Sequence, residues 1–101
     1  ILAGAKDEEL GALSRYGEHI GLAFQIVDDI LDVEESSATL GKTAGKDAAQ
    51  HKITFPAVYG LEVSHRMAEQ ERERAHEALE RFGARAKWLR ELADLIVHRK
   101  A

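Results

Sequence analysis

Apolar residues return every three or four positions along most of this chain, the period of a helix seen from one side. Over residues 7–35 the recurring positions are Leu10, Leu13, Ile20, Phe24, Val27 and Leu31, which predicts one long amphipathic helix. Asp7, Glu8 and Glu9 fall in its predicted first turn, where carboxylates complement the helix dipole. Gly17 and Gly21 lie one turn apart on it, a spacing that suits close approach of a neighbouring helix or a ligand, or plain helix packing.

The pattern breaks at "SSATLGKTAGKD", residues 36–47, which reads as a loop rich in Ser, Thr and Gly. A second helix is predicted over 48–63, bent or interrupted near Pro56, the only proline. A third spans 64–82 and ends at Gly83. Its "EQERER" stretch reads as a solvated face, with Glu77 and Arg81 as an i,i+4 pair. The last helix, 86–99, places Trp88, Leu92, Leu95 and Ile96 at core spacing. With few strand signals and no internal repeat, the expectation is an all-α fold in one continuous unit, residues 1–101.

Composition narrows the classes. A hydrophobic fraction of 45% with 32% charged residues suits a folded helical protein. The formal charge of −4 gives no support to a nucleic-acid partner, which needs a basic surface. There is no cysteine, so disulfides and thiolate metal sites are excluded. No apolar run approaches the roughly 20 residues that span a bilayer. Nothing at the start resembles a signal peptide, and a cytoplasmic location is the default expectation. The opening "ILAGAKDEEL" has no initiating Met and reads as a cut through a longer protein.

Candidate chemistry concentrates in "FQIVDDILD", residues 24–32. Between positions 16 and 41 there are six acidic residues and no Lys or Arg, and five of the six lie between Asp28 and Glu35. On a helix Asp28 and Asp32 share a face one turn apart, Asp29 sits about 100° round, and Gln25 precedes Asp28 on the same stripe. Unrelieved like charges at i,i+4 cost a few tenths of a kcal/mol. Either the cluster is an acidic edge in water or it meets a cation. Hard carboxylate oxygens suit Mg²⁺, which uses one or two carboxylates together with substrate phosphates. The spacing is not that of an EF-hand loop, and no His lies within a turn to suggest zinc. Lys42, Lys46 and Lys52 follow within 24 residues of Asp28, two of them directly after Gly. Gly admits a bulky anion to the backbone and Lys offers a mobile charge for phosphate, so a metal-bound diphosphate is the ligand these features suggest together.

The ordered series "GLAFQIVDDILD", "LGKTAGKD", "HKITFP" and "LADLIVHRKA" resembles the C-terminal portion of the trans-isoprenyl diphosphate synthases, the polyprenyl synthetase family. Within it the chain looks most like short-chain bacterial farnesyl and geranylgeranyl diphosphate synthases. The resemblance implies an all-α bundle around a central cavity and head-to-tail joining of an allylic diphosphate to isopentenyl diphosphate, with release of pyrophosphate. It further implies three Mg²⁺ ions shared with the substrate diphosphate, and a homodimer. By the same resemblance Asp28, Asp29 and Asp32 form the second Asp-rich motif, with Asp28 the most direct Mg²⁺ ligand and Asp47 an outer partner. Lys42 and Lys52 match lysines that grip the allylic diphosphate. Gln25 matches a glutamine whose carbonyl dipole favours a developing allylic cation. Phe24 matches an aromatic on the isopentenyl side, and Arg99 with Lys100 a basic end that closes that site. Pyrophosphate itself serves the family as base, so no protein base is nominated.

The family's first Asp-rich motif, its following arginines and a Lys-Thr pair have no counterpart in these residues, so the 101 residues alone are expected to be inactive. A non-catalytic helical subunit of a heteromeric prenyl synthase is the main rival, although such a subunit would be expected to lose the aspartates. A terpenoid cyclase would carry an N-D-x-x-S-x-x-x-E type motif, which does not occur. His19, His51, His65, His76 and His98 are scattered and read as surface or satisfied core residues.

Overall fold

The computed structural model describes residues 2–39 and 53–100, with side chains for 7–35 and 53–100. Among them every regular element is helical and none is a strand: α1 (Leu2–Thr39), α2 (Phe55–Tyr59), α3 (Leu61–Ala78), a 3₁₀ segment (Glu80–Ala86) and α4 (Lys87–His98). The all-α expectation holds. Helix α1 has 38 residues, about 57 Å at 1.5 Å per residue, which accounts for the 59 Å long axis of the molecule. It carries α3 along one side, with α4 packed against both.

The buried stripe of α1 is Ala12, Tyr16, Ala23, Ile26, Val27 and Ile30. It faces two clusters. Tyr16 packs with Ala75, Leu79, Ala86 and Ala93, while Ile26, Val27 and Ile30 pack with Ala68. Alanine recurs at these contacts, so the helices come together on small side chains and the large ones sit beside them. The stripe read from the sequence is therefore partly a different one. Leu10, Leu13 and Phe24 are 56%, 40% and 44% exposed, off the packed face of α1. A helix apolar on two faces needs two partners, and the described residues supply one.

Several predicted boundaries move. Helix α1 starts at Leu2, so Asp7, Glu8 and Glu9 are not its first turn. Glu8 and Glu9 instead accept hydrogen bonds from Arg81 and Arg85, at 3.0 and 3.4 Å. Arg81 thus reaches across to α1 rather than along its own helix to Glu77. Helix α1 also continues through 36–39, expected as loop. That stretch has neither Gly nor Pro, and an established helix extends cheaply. Residues 40–52 of the predicted loop and second helix lie outside the described residues.

The interruption expected near Pro56 is present, with residues 53 and 54 non-helical, and Pro56 opens a helix rather than bending one. The Thr54 hydroxyl caps α2 by accepting from Ala57 N–H at 3.1 Å, and a first-turn Pro has no N–H to satisfy. The predicted break at 63–64 falls instead at Gly60, whose φ of 88° and ψ of 160° suit glycine alone. Helix α3 ends at Ala78, and the turn at Gly83 lies inside the 3₁₀ segment, with φ 58°. Arg90 closes this end by donating to Gly83 O at 2.8 Å and Leu79 O at 3.2 Å.

Helix α4 packs through Leu89, Ala93 and Val97. Trp88 and Leu95, expected in the core, are 64% and 67% exposed. Their stripe adjoins the packed one, and Ala93 decides between them because it lets α4 approach closely.

Candidate functional site

The open side of α1 leads from Leu10 and Leu13 past Gly17 and Gly21 to Phe24 and Asp28, all on one helical stripe. A Cβ built on either glycine meets nothing within 4 Å, so the described helices do not use their smallness. Beyond Phe24 the stripe opens into a groove of about 680 Å³. Gln25, Asp28, Asp29 and Asp32 line it together with Glu34, Glu35, Arg99 and Lys100. The sequence-predicted acids therefore do share one surface.

They are not equivalent there. Asp28 is exposed and is met by the guanidinium of Arg99. The same guanidinium lies 4.6 Å above the Phe24 ring, a cation–π contact that sets Arg99 between the two. The Nε of Arg99 is buried and has no hydrogen-bond partner among the described residues. Asp29 is half-buried, and although it lines the groove both of its oxygens are already engaged by protein: Oδ1 accepts from Gln25 Nε2 at 3.2 Å, and Oδ2 accepts from Phe55 N–H at 3.1 Å. Asp32 lines the groove one turn beyond Asp28. Among the described residues no three His, Cys, Asp or Glu side chains converge to cage a metal ion. The donor set is nonetheless hard oxygen on an open wall, which fits Mg²⁺, an ion that keeps much of its shell for water and phosphate. Lys42, Lys46, Asp47, Lys52 and His51 lie outside the described residues.

An apolar hollow of about 390 Å³ adjoins the acidic groove and shares Gln25 and Asp29 with it. Its other wall is Ile53, Thr54, Phe55, Val58 and Tyr59, with the Phe55 and Tyr59 rings stacked at 6.1 Å between centroids. Val58 and Tyr59 carry no pattern signal in the sequence, because a five-residue helix is too short to show a period. On the far side of Arg99 and Lys100 lies a groove of about 620 Å³ floored by Val27, Ile30, Ala68 and Val97.

The charged stretch of α3 is not uniformly solvated. Glu71 is buried, its side chain 8% exposed. It accepts from His19 Nδ1 and from Arg74 Nη1, each at 2.6 Å. The signal was available: Ser64, Ala68, Glu71, Ala75 and Leu79 form one stripe, and Glu71 is its acidic member. A second network joins α3 to α4. Arg72 donates to Glu69 and to Asp94, both at 2.9 Å, and His98 and His76 donate to the same two carboxylates at 2.6 and 2.9 Å. Partial burial pushes Glu69 and Asp94 up, but these hydrogen bonds outweigh it and hold both below the usual carboxylate range. Burial lowers Arg72 and the same partners raise it further, so its net shift is upward. His65 completes the set with Glu34 at 3.4 Å. The four described histidines all meet carboxylates, as satisfied structural residues do. Tyr16, raised by burial, donates to Leu89 O at 2.9 Å.

The decisive comparison is with protein families: a family model described as polyprenyl synthetase matches residues 1–96. The chain belongs to the polyprenyl synthetase family. Its curated relatives include a chloroplastic geranylfarnesyl diphosphate synthase of Leucosceptrum canum, 48% identical over 98% of this chain and 28% of its own length. A chloroplastic geranylgeranyl pyrophosphate synthase 7 of Arabidopsis thaliana is 48% identical over 99% of the chain and 29% of its own length. A dimethylallyltranstransferase of Fischerella ambigua is 46% identical over 98% and 29%. The chain thus spans less than a third of each of these polyprenyl synthetase relatives. None of the described helices is long and apolar enough to cross a membrane.

Proposed function

We propose that these residues form one wall of the site in a Mg²⁺-dependent prenyltransferase. It condenses an allylic diphosphate head to tail with isopentenyl diphosphate and releases pyrophosphate. The observation that carries the reading is the juxtaposition on α1. An acidic groove holding Asp28 and Asp32 adjoins an apolar hollow through Gln25, in a chain of the polyprenyl synthetase family. A substrate with a charged head and a hydrocarbon tail needs both surfaces side by side.

In this reading Asp28 and Asp32 offer carboxylate oxygens to Mg²⁺, and Lys42 and Lys52 grip the diphosphate, with Asp47 as an outer partner. Bound Mg²⁺ supplies the positive charge that neutralises a leaving pyrophosphate. Gln25 directs its amide carbonyl dipole toward carbon that becomes cationic. Phe24 and the hollow beside it keep water from that carbon. Arg99, which holds Asp28 and covers Phe24, is the residue that closes the isopentenyl side. The exposed stripe of Leu10, Leu13, Gly17 and Gly21 is the seam for the remaining wall of a longer chain. That longer protein is a homodimer located in the cytoplasm.

The test is turnover of dimethylallyl or geranyl diphosphate with isopentenyl diphosphate and Mg²⁺. The full-length protein carrying these residues is expected to be active. Asp28→Asn is expected to lower kcat by a factor of about 100 or more, the usual scale for losing one stabilising group in the transition state. The 101 residues alone are expected to give no product. Robust product from them, or an Asp28→Asn enzyme of unchanged rate, would overturn the reading.

A further inference from the structure

Helix α2 has five residues, far too few to persist on its own propensity. What holds it can be accounted for group by group. Its first three residues are Phe55, Pro56 and Ala57. Pro56 has no N–H. The N–H of Ala57 is satisfied by the Thr54 hydroxyl at 3.1 Å. That leaves Phe55 N–H, and it donates to Asp29 Oδ2 on α1 at 3.1 Å. Val58 N–H then makes the first backbone bond, to Thr54 O at 3.1 Å. The Phe55 side chain packs against the Ile26, Val27 and Ile30 cluster directly beneath, so backbone and ring dock on the same turn of α1.

The second oxygen of Asp29 is also committed, to Gln25 Nε2 at 3.2 Å. One carboxylate therefore ties together the two walls of the apolar hollow: Gln25 on α1, and the Thr54–Phe55 entry that presents Val58 and Tyr59. All three aspartates line the acidic groove, but only Asp29 also lines the hollow and accepts from a backbone N–H of α2.

We propose that Asp29 is a positioning residue, a bracket between α1 and α2, rather than a third metal ligand. The proposal rests on the prenyl-transfer reading only for what the hollow is used for; the bracket itself stands on the hydrogen bonds. It sets the distance between Gln25 and the Val58–Tyr59 wall, and with it the register in which the chain following Lys52 enters the site.

Asparagine discriminates between the two roles. Asp29→Asn keeps an oxygen for Phe55 N–H, and its amide N–H₂ can face Gln25 after that side chain's amide turns over. It loses the negative charge a metal ligand needs. Asp29→Ala loses both hydrogen bonds. In the metal-free full-length protein, hydrogen exchange at the Phe55 amide is expected to accelerate at least about tenfold in Asp29→Ala, the factor for losing a hydrogen bond to a charged acceptor. Asp29→Asn is expected to restore most of that protection. The second measurement is the Mg²⁺ concentration that half-saturates thermal stabilisation in the presence of inorganic pyrophosphate. It is expected to rise more than tenfold in Asp28→Asn and less than threefold in Asp29→Asn.

If Asp29→Asn raises the Mg²⁺ requirement as Asp28→Asn does, or if Phe55 exchange is the same in Asp29→Ala as in the unaltered protein, the bracket is refuted. Should Asp29→Ala fail to fold, the Mg²⁺ comparison between the two Asn variants decides alone. If the unaltered protein shows no response to Mg²⁺ and pyrophosphate, the prenyl-transfer reading falls, and Phe55 exchange still decides the bracket.

Discussion

Replacing Glu71 by Ala tests whether the charged face of α3 is an adornment or part of the core. The substitution removes a buried carboxylate that accepts from His19 and Arg74, each at 2.6 Å. Removing one partner of a fully buried pair costs about 3–5 kcal/mol, because the other charge is stranded. Here neither remaining partner is stranded: the Arg74 and His19 side chains are 53% and 31% exposed and recover water. The two lost hydrogen bonds to a charged group, worth about 1.5–3 kcal/mol each when fully shielded, must be discounted accordingly. The expected cost is about 2 kcal/mol, a large share of the ~5–15 kcal/mol that holds a domain. For a domain of this size that is a fall of roughly 10 °C in Tm. Urea unfolding followed by far-ultraviolet circular dichroism gives the measurement, with Glu73→Ala, an exposed neighbour, as control at within about 0.5 kcal/mol. Glu71→Gln keeps one acceptor and is expected to lose about half as much. A Glu71→Ala midpoint equal to that of Glu73→Ala would refute the reasoning.

Other residues give further expectations. Glu69 and Asp94 have folded pKa values below their ordinary 4.5 and 3.8, so their contribution is complete above those values and is lost as pH falls through the depressed ones. Acid titration of stability is expected to steepen below about pH 4.5, and Arg72→Gln to flatten it. Gly60→Ala meets no steric obstacle, but it must hold φ at 88°, which costs about 1–3 kcal/mol and is read from the urea midpoint. Tyr16→Phe strands the Leu89 carbonyl that now accepts from the phenol; a loss of about 1–2 kcal/mol is expected by the same assay.

The all-α class was legible among the described residues because it depends on local period, with Pro56, Gly60 and Gly83 as punctuation. The boundaries were less so. A break at 63–64 and a break at Gly60 differ little in pattern, and only the backbone turn at φ 88° separates them. The face of α1 that is buried was legible only in part: Val27 is buried and Ile20 and Leu31 pack against the core as the period predicts, while the rest of the stripe does not. Leu10, Leu13 and Phe24 outrank Ala12 and Ala23 in hydrophobicity, yet the alanines are buried and the large residues are exposed. Close packing of α3 and α4 rewards small contacts, and no hydropathy scale expresses that. Glu71 was hidden for the related reason that its charge outweighed its place on a buried stripe.

At the site, the sequence by itself determined the chemistry on offer. Three aspartates, a glutamine and an aromatic within nine positions are set by covalent order and helical period, whatever packs around them. Only the tertiary structure decided how that chemistry is divided. It gave Asp28 to the open groove and to Arg99, 71 residues away, and gave Asp29 to Phe55 N–H, 26 residues away. A helix can say that two neighbouring aspartates point about 100° apart; which of them meets a guanidinium and which a backbone donor depends on elements folded against it from elsewhere in the chain.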